Sequence, residues 1–221
     1  MAKAKRATRA HGSATRARIL ENAGVLFAER GFAETPNKAI AAQAAVDLAS
    51  INYHFGGREG LYQAVLAEAH RRFVSLEELA DIGEGDLASS AKLDALFGIF
   101  VRRLSQDADW GAAVLAREVL APSEHLATLL STEVAPKIGI VLTILSEITG
   151  IPVGDSALLC CLVSVAAPFA MLLVTRGQAF PARREIEQMP RQDLADHLRR
   201  FALAGLQDAA RDYARKQGRQ R

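Results

Sequence analysis

Apolar residues recur along this chain at spacings of three and four almost throughout, and no alternating run of strand length stands out. The pattern predicts an all-α protein. A first helix is expected from Ser13 as N-cap to Arg30, with Ile19, Ala23, Leu26 and Phe27 on one face and Gly31 just past its end. Thr35-Pro36 is a compact start signal for a second, short helix. That helix can run only to about Ala44, because Asp47 is placed to cap a third over Leu48–Phe55. Gly56-Gly57 breaks the chain, and Arg58 to Leu79 reads as a longer amphipathic helix with Leu61, Val65, Ala69 and Phe73 in one stripe. The acidic, glycine-bearing stretch 81–86 (DIGEGD) reads as a loop. Beyond it, helices are expected near Leu87–Ser105, Trp110–Leu120, Ser123–Thr149, Asp155–Arg176 and Pro190–Gln217. Pro122, Pro152 and Pro181 fall at junctions, and Pro136 is placed to kink or split the helix that holds it.

Two short helices joined by a tight turn and buttressed on both sides form a helix-turn-helix, the arrangement that carries a recognition helix into the major groove of DNA. Its buried positions would be Ile40, Ala41, Val46, Ile51 and Phe55, with Ala41 small enough to let the short helices cross closely. The expected organisation is a basic disordered arm (1–13), a three-helix helix-turn-helix domain (14–57), a connecting helix (58–80), a helical ligand-binding and dimerisation domain (81–217) and a short tail (218–221).

Charge sharpens this division. The formal net charge is only +2, but residues 1–75 hold eleven Lys/Arg against six Asp/Glu, and residues 76–130 hold four against ten. A basic segment followed by an acidic one suits a polyanion-binding module joined to a non-binding one, although a solubilising basic face gives the same signal. Cys160 and Cys161 are adjacent and cannot form an ordinary disulfide, which fits a reducing cytoplasm. The basic N-terminus lacks the apolar stretch of a secretory signal. Ala157–Val174 is almost unbroken apolar sequence, about as long as the shortest membrane spans. A buried helix in a dimer interface gives the same pattern, and no membrane partner is expected.

The continuous stretch Ala14 to Phe73 resembles the DNA-binding half of TetR-family repressors, above all in GFAETPNKAIAAQAAVDLASINYHFGGREGLYQAVL. The resemblance rests on Gly31-Phe32, Thr35, Ile40-Ala41, Val46 and the run Tyr53-His54-Phe55. It implies that Thr35 starts the second helix and belongs to the DNA-contacting set, and that Asn37 and Lys38 hold phosphates there. Leu48, Ala49, Ser50 and Asn52 would open the recognition helix, with Asn52 able to pair bidentately with adenine and Ser50 to meet a base edge. Tyr53 and His54 would lie beside the DNA backbone, with a structural bracing role for Tyr53 equally open, and Arg58 would clasp a phosphate. Arg6, Arg9 and Arg16 of the arm could follow the backbone or minor groove, or merely solubilise. The chain departs from the family at Ala45, where glycine is usual; alanine at positive φ costs about 1 kcal/mol.

Residues 109–130 (DWGAAVLAREVLAPSEHLATLL) resemble the C-terminal domain of the CecR-like branch of the same family. There Arg117 and Glu118 are ionisable residues among apolar neighbours and need partners if they point inward. They form either a structural pair or, with Phe100, Trp110, His125, Phe169 and Met171, the border of a mostly apolar pocket for a small-molecule effector. The helices Asp155–Arg176 and Pro190–Gln217, the latter with a stripe of Leu194, Leu198, Phe201, Ala202 and Leu206, would pair with a second copy in a four-helix interface. The function so implied is a ligand-responsive repressor that binds palindromic operator DNA as a homodimer and is released by an apolar or amphipathic, drug-like effector.

Other readings have less to stand on. Gly83-x-Gly85-x-x-Ala88 follows a helix rather than a strand, and Ser89-x-x-Lys92 lacks companion motifs, so no enzyme is expected. His11, His54, His70, His125 and His197 show no metal-ligand spacing with one another or with the cysteines, and no metal or cofactor is expected. A constitutive or architectural helix-turn-helix protein without a ligand remains open from sequence, as does, more distantly, a membrane-associated helical protein.

Overall fold

The computed structural model describes residues 2–104, 109–176 and 181–220, with side chains described from residue 12 to 104, 109 to 176 and 185 to 219. Arg6 and Arg9, expected to follow the DNA backbone or minor groove or to solubilise, therefore lie outside the described side chains. Among the described residues the chain is helical and has no strand. The helices are α1 (Ala2–Arg30), α2 (Asn37–Gln43), α3 (Leu48–Phe55), α4 (Arg58–Phe73), α5 (Leu76–Glu84), α6 (Ser89–Leu104), α7 (Trp110–Leu120), α8 (Leu126–Leu129), α9 (Ala135–Thr149), α10 (Ser156–Val174), α11 (Pro181–Gln188) and α12 (Arg191–Gln220).

Three boundaries differ from the pattern-based expectation, each for a local reason, and the break expected at Pro136 is present. Helix α1 begins far upstream of Ser13, in a run of Ala, Lys and Arg that are all good helix formers. The predicted long helix after Gly57 stops at Phe73. Ser75 then starts α5 with a full capping box, its hydroxyl accepting from the Glu78 amide while the Glu78 carboxylate accepts from the Ser75 amide. Part of the predicted acidic loop thereby becomes the last turn of α5. Ahead of Pro136 the helix splits: α8 gives way to a π-helical turn, Leu130–Val134, and α9 restarts with the proline in its first turn, where a missing amide costs nothing.

The chain divides into two compact units. The first comprises Met1–Arg72 and Asp109–Leu129, so that α7 belongs with the N-terminal helices rather than with the second half. Its core is Ile19, Ala23, Leu26 and Phe27 of α1, Ile40 and Ala44 around α2, Ile51 of α3, Leu61, Val65 and Leu66 of α4, and Val114 and Leu115 of α7. Helix α7 lies so close to α1 that a Cβ on Gly24 would stand 2.4 Å from the Trp110 ring. Trp110 is buried here, its indole N–H donating to Glu21 at 2.9 Å and Arg72 stacking 4.5 Å over its ring.

The second unit comprises Phe73–Ala108 and Leu130–Arg221. Helix α12 packs along α6, α9 and α10, over a core that includes Leu93, Leu96, Phe97, Ile144, Leu145, Leu158 and Leu206. Phe73, Phe100, Phe169 and Phe97 form an unbroken chain of ring contacts with centroids 4.9–5.7 Å apart. Ser89 donates to Glu147 at 2.8 Å and the Lys92 ammonium to the Gly83 carbonyl at 2.7 Å, so both enzyme-like spacings serve the packing of this unit. The stretches Leu126–Thr149 and Ser156–Val174 are long and apolar enough to cross a membrane by length and composition alone. One side of α10, through Leu158, Val165, Phe169 and Leu173, is nevertheless buried within its unit.

Candidate nucleic-acid interface

The first unit presents its two short helices through a turn that the sequence makes expensive. Helix α2 ends in a Schellman motif: the Val46 amide donates to Ala41 at 3.0 Å and the Ala45 amide to Ala42 at 3.2 Å. Ala45 is the C′ residue, at φ 51°, the one positive-φ residue other than glycine among those described. Asp47 then caps α3, accepting from the Ser50 amide at 2.7 Å and the Ser50 hydroxyl at 2.6 Å. These bonds hold the Asp47 carboxyl below its ordinary value, the hydroxyl contributing most. Gly56, at φ 73°, closes the other end of α3 in the left-handed conformation that glycine tolerates.

With Ile51 fully buried, the opposite face of α3 is turned outward. Leu48, Ala49, Asn52 and Tyr53 are all exposed on it, Leu48 by 47% and Tyr53 by 85%, the Tyr53 ring meeting His54 of the same helix edge-on at 4.9 Å. Ser50 and His54 are half-buried on its flanks, and Lys38 stands exposed at the start of α2. Arg16 reaches over the Phe55 ring at 4.9 Å, so this member of the basic arm sits at the end of the recognition helix.

Two of the expected DNA contacts are occupied within the unit. Thr35 is wholly buried, and its hydroxyl donates to the carbonyls of Gly31 (2.7 Å) and Leu26 (3.3 Å) at the end of α1 instead of capping α2. Pro36 takes the cap position without a side-chain bond. Arg58 donates to the carbonyls of Phe32 and Ala33 and stacks 4.3 Å over the Phe32 ring, pinning the α1–α2 connection to the first turn of α4. Asn37 is half-buried, with its carbonyl oxygen lacking a hydrogen-bond partner.

Behind this face lies a polar cluster that α7 and the segment after it bring against α4. The Glu118 carboxylate, 2% exposed, accepts from the Tyr62 hydroxyl at 2.9 Å and from the Ser123 amide and hydroxyl at 2.8 and 2.7 Å. Burial, then the bond to Glu118, pushes the Tyr62 phenol well above its ordinary range. Arg117 donates to the carbonyls of Ala28 and Glu29, both at 2.9 Å, and so holds the end of α1. His125, 6% exposed, lies edge-on to Phe32 and Tyr62, with Nδ1 3.3 Å from Gln63 Nε2 and Nε2 2.6 Å from Glu59. Glu59, Glu124 and His125 offer ligand atoms all within 4.8 Å of one another, the one such metal-capable group among the described residues. Sequence spacing concealed it, because Glu59 lies far along the chain from its two companions.

The seven residues read as one effector pocket thus fall into two groups. Trp110, Arg117, Glu118 and His125 belong to the first unit, where the buried Glu118 has the partners its burial demands and Arg117, exposed, is bonded to the end of α1. Phe100 and Phe169 join the aromatic chain of the second unit, and Met171 is half-exposed on α10. In that unit a groove of about 620 Å³ runs between α10 and α12, past Cys160, Ser164, Phe201 and Gly205.

Comparison with known proteins agrees with this architecture. Residues 19–65 match the model for bacterial regulatory proteins of the tetR family, and residues 90–206, more than half of the chain, match that for the C-terminal domain of the HTH-type transcriptional dual regulator CecR. A probable HTH-type transcriptional regulator from Bacillus subtilis, YttP, is 35% identical over 66 residues, which span 30% of this chain and 32% of that protein. Among solved structures, a TetR-like transcriptional regulator from Rhodococcus sp. RHA1 aligns over 87% of this chain and 95% of its own, at 20% identity and a TM-score of 0.64. The transcriptional regulator FadR from Bacillus subtilis, solved in complex with stearoyl-CoA, aligns over 85% and 97% at 17% identity and a TM-score of 0.67. The chain belongs to the TetR family of DNA-binding transcriptional regulators and carries a C-terminal domain of the CecR type.

Proposed function

We propose that the chain is a cytoplasmic, ligand-responsive repressor that binds palindromic operator DNA as a homodimer and leaves it when a small apolar or amphipathic effector binds the second unit. The observation that carries the reading is the exposed face of α3, with Leu48, Ala49, Asn52 and Tyr53 outward and Ile51 anchoring it from behind. Asn52 is the base reader, and its amide suits adenine. Ser50 keeps acceptor capacity while donating to Asp47. Lys38, Tyr53 and His54 contact phosphates; Asn37, whose amide oxygen has no partner, joins them by turning its side chain outward so that its amide N–H donates. Arg58 positions α4 in the free protein and clasps a phosphate only if it leaves Phe32.

One helix-turn-helix reads few bases, and two placed roughly 34–36 Å apart read a palindrome. The apolar residues that α10 and α12 expose, among them Leu159, Val163 and Phe201 at 48–76%, support pairing with the same helices of a second copy. The aromatic chain through Phe100 and Phe169 offers an apolar effector its contacts, and the stearoyl-CoA bound by one structural relative is of that chemical kind. Effector binding shifts α4 and changes the separation of the recognition helices; a coupling of about 1–3 kcal/mol lowers operator affinity about 5–150-fold.

The test is binding of the purified protein to DNA from its own promoter region at several salt concentrations. A salt-sensitive dimer complex is expected, with Asn52→Ala relaxing sequence preference and Lys38→Ala weakening binding uniformly and flattening the salt slope by about one charge. A dimer with no preference over random DNA at moderate salt would favour an architectural role instead.

A further inference from the structure

We propose that Glu59, Glu124 and His125 form a binding site for a divalent transition-metal ion of the zinc type, at the junction of the first turn of α4 with the segment that follows α7. The three ligand atoms already lie within 4.8 Å of one another. Around zinc, with N and O ligands at about 2.0–2.2 Å, they would stand roughly 3.3–3.5 Å apart. Glu59 and Glu124 are both exposed, so their side chains have room to rotate, the 2.6 Å Glu59–His125 separation widening and the longer ones closing.

The second observation is the histidine itself. His125 is 94% shielded, and its Nε2, though 2.6 Å from Glu59 Oε2, has no aligned hydrogen-bond partner. A buried imidazole held only for an ion pair would align that bond; one aimed into a pair of carboxylates as a ligand need not. The remainder of the ring is prepared for the same role. Phe32 and Tyr62 fix its plane, with centroids at 5.8 and 5.5 Å. Its Nδ1 faces the Gln63 amide at 3.3 Å. With metal on Nε2 the ring proton resides on Nδ1, and Gln63, with its amide turned over, accepts it, which is the outer contact that metal-bound histidines ordinarily keep. One imidazole and two carboxylates select zinc and its neighbours over calcium or magnesium, and three protein ligands leave a position open for water. Occupancy would tie Glu59, three residues beyond Gly56 at the end of the recognition helix, to residues 124 and 125.

The experiment is calorimetric titration of the untagged full-length chain with zinc, and with cobalt read by its visible absorption, in the absence of DNA, so that its outcome does not depend on the repressor reading. One ion per chain is expected, with a visible cobalt spectrum of N/O coordination. Since loss of an outer-shell partner alone costs about 10–100-fold in metal affinity, Glu59→Gln and Glu124→Gln should each weaken binding at least about tenfold. These two exposed substitutions leave the core intact, and circular dichroism checks that; His125→Ala should abolish binding but removes a buried ring. Absence of saturable binding, or an affinity that neither glutamate substitution changes, overturns the site and leaves His125–Glu59 a close polar contact with no metal role.

Discussion

Ala45→Gly tests whether the turn between α2 and α3 holds the conformation described. Ala45 sits at φ 51° as the C′ residue of a Schellman motif, with its side chain exposed, so that glycine there loses little packing. An L-residue in the left-handed region costs about 1–2 kcal/mol. Glycine removes that strain but makes the unfolded chain more flexible, which returns about 0.4–1 kcal/mol. The net expectation is stabilisation by about 0.5–1 kcal/mol. In a chain of this size that raises Tm by roughly 1–4 °C. Urea unfolding followed by circular dichroism should show a higher midpoint with unchanged slope, because the surface exposed on unfolding is the same. Ala45→Val should move the midpoint the other way, since a β-branched residue fits positive φ worse than alanine does. An Ala45→Gly protein of equal or lower stability, together with an unaffected Ala45→Val, would show that residue 45 does not occupy the left-handed region and that the turn is built differently.

Three further outcomes follow from the packing. Tyr62→Phe removes a hydrogen bond to the buried Glu118 carboxylate and should cost about 1.5–3 kcal/mol in chemical unfolding; in the wild type the Tyr62 phenol should not ionise in an alkaline absorbance titration until the protein unfolds. The hydrogen bond from Arg72 holds the Glu21 carboxyl below its usual value, so Glu21 stabilises the fold fully above its unfolded pKa, about 4.3, and progressively less as pH falls through the lower folded value. The stability gap between wild type and Glu21→Gln should accordingly be constant from pH 5 to 7, to within about 0.3 kcal/mol, and narrow in acid, whereas a gap that widens in acid would contradict the pairing. Phe201, 76% exposed on α12, should be essential to the proposed dimer; Phe201→Glu should elute as a monomer in size-exclusion chromatography with light scattering and bind operator only weakly, and a persistent dimer would remove α12 from the interface.

The helix-turn-helix was legible because each of its parts has a local signature. Asp47 as cap, Gly56 as stop and the unusual Ala45 can all be read from the residue types in order, as can the buried Ile40, Ala41 and Ile51. What could not be read was which groups would satisfy one another across long stretches of chain. Thr35 carries the residue type of an N-cap, yet its hydroxyl turns back to α1, because a fully buried hydroxyl must be paired and the carbonyls of Gly31 and Leu26 at the end of α1 lie within reach. Arg58 has the charge for a phosphate contact and is taken up by Phe32 and two carbonyls instead. The α4–α5 break did leave a signal, the Ser75-x-x-Glu78 capping box, which the uninterrupted apolar stripe obscured.

The placement of α7 bears on how a regulator of this kind would work. The chain passes between its two units at three points: at the end of α4, ahead of Asp109, and at Leu129–Leu130, where the π-helical turn begins. A mechanism that runs through α4 alone uses one of the three. Tyr62 of α4 and Glu118 of α7 are joined by a buried, charge-assisted hydrogen bond, and Arg117 beside it grips the end of α1. In the proposed mechanism, a displacement of α4 or of α7 reaches the same cluster, which lies against the α1–α2 connection. The Arg-Glu pair, which sequence left between a structural role and an effector pocket, is better understood as the means by which a segment distant in sequence braces the DNA-reading unit. It makes α4 and α7 respond as one body, because leaving the buried Glu118 carboxylate without its partners costs about 1–3 kcal/mol or more, at least comparable to the coupling of about 1–3 kcal/mol that an effector supplies.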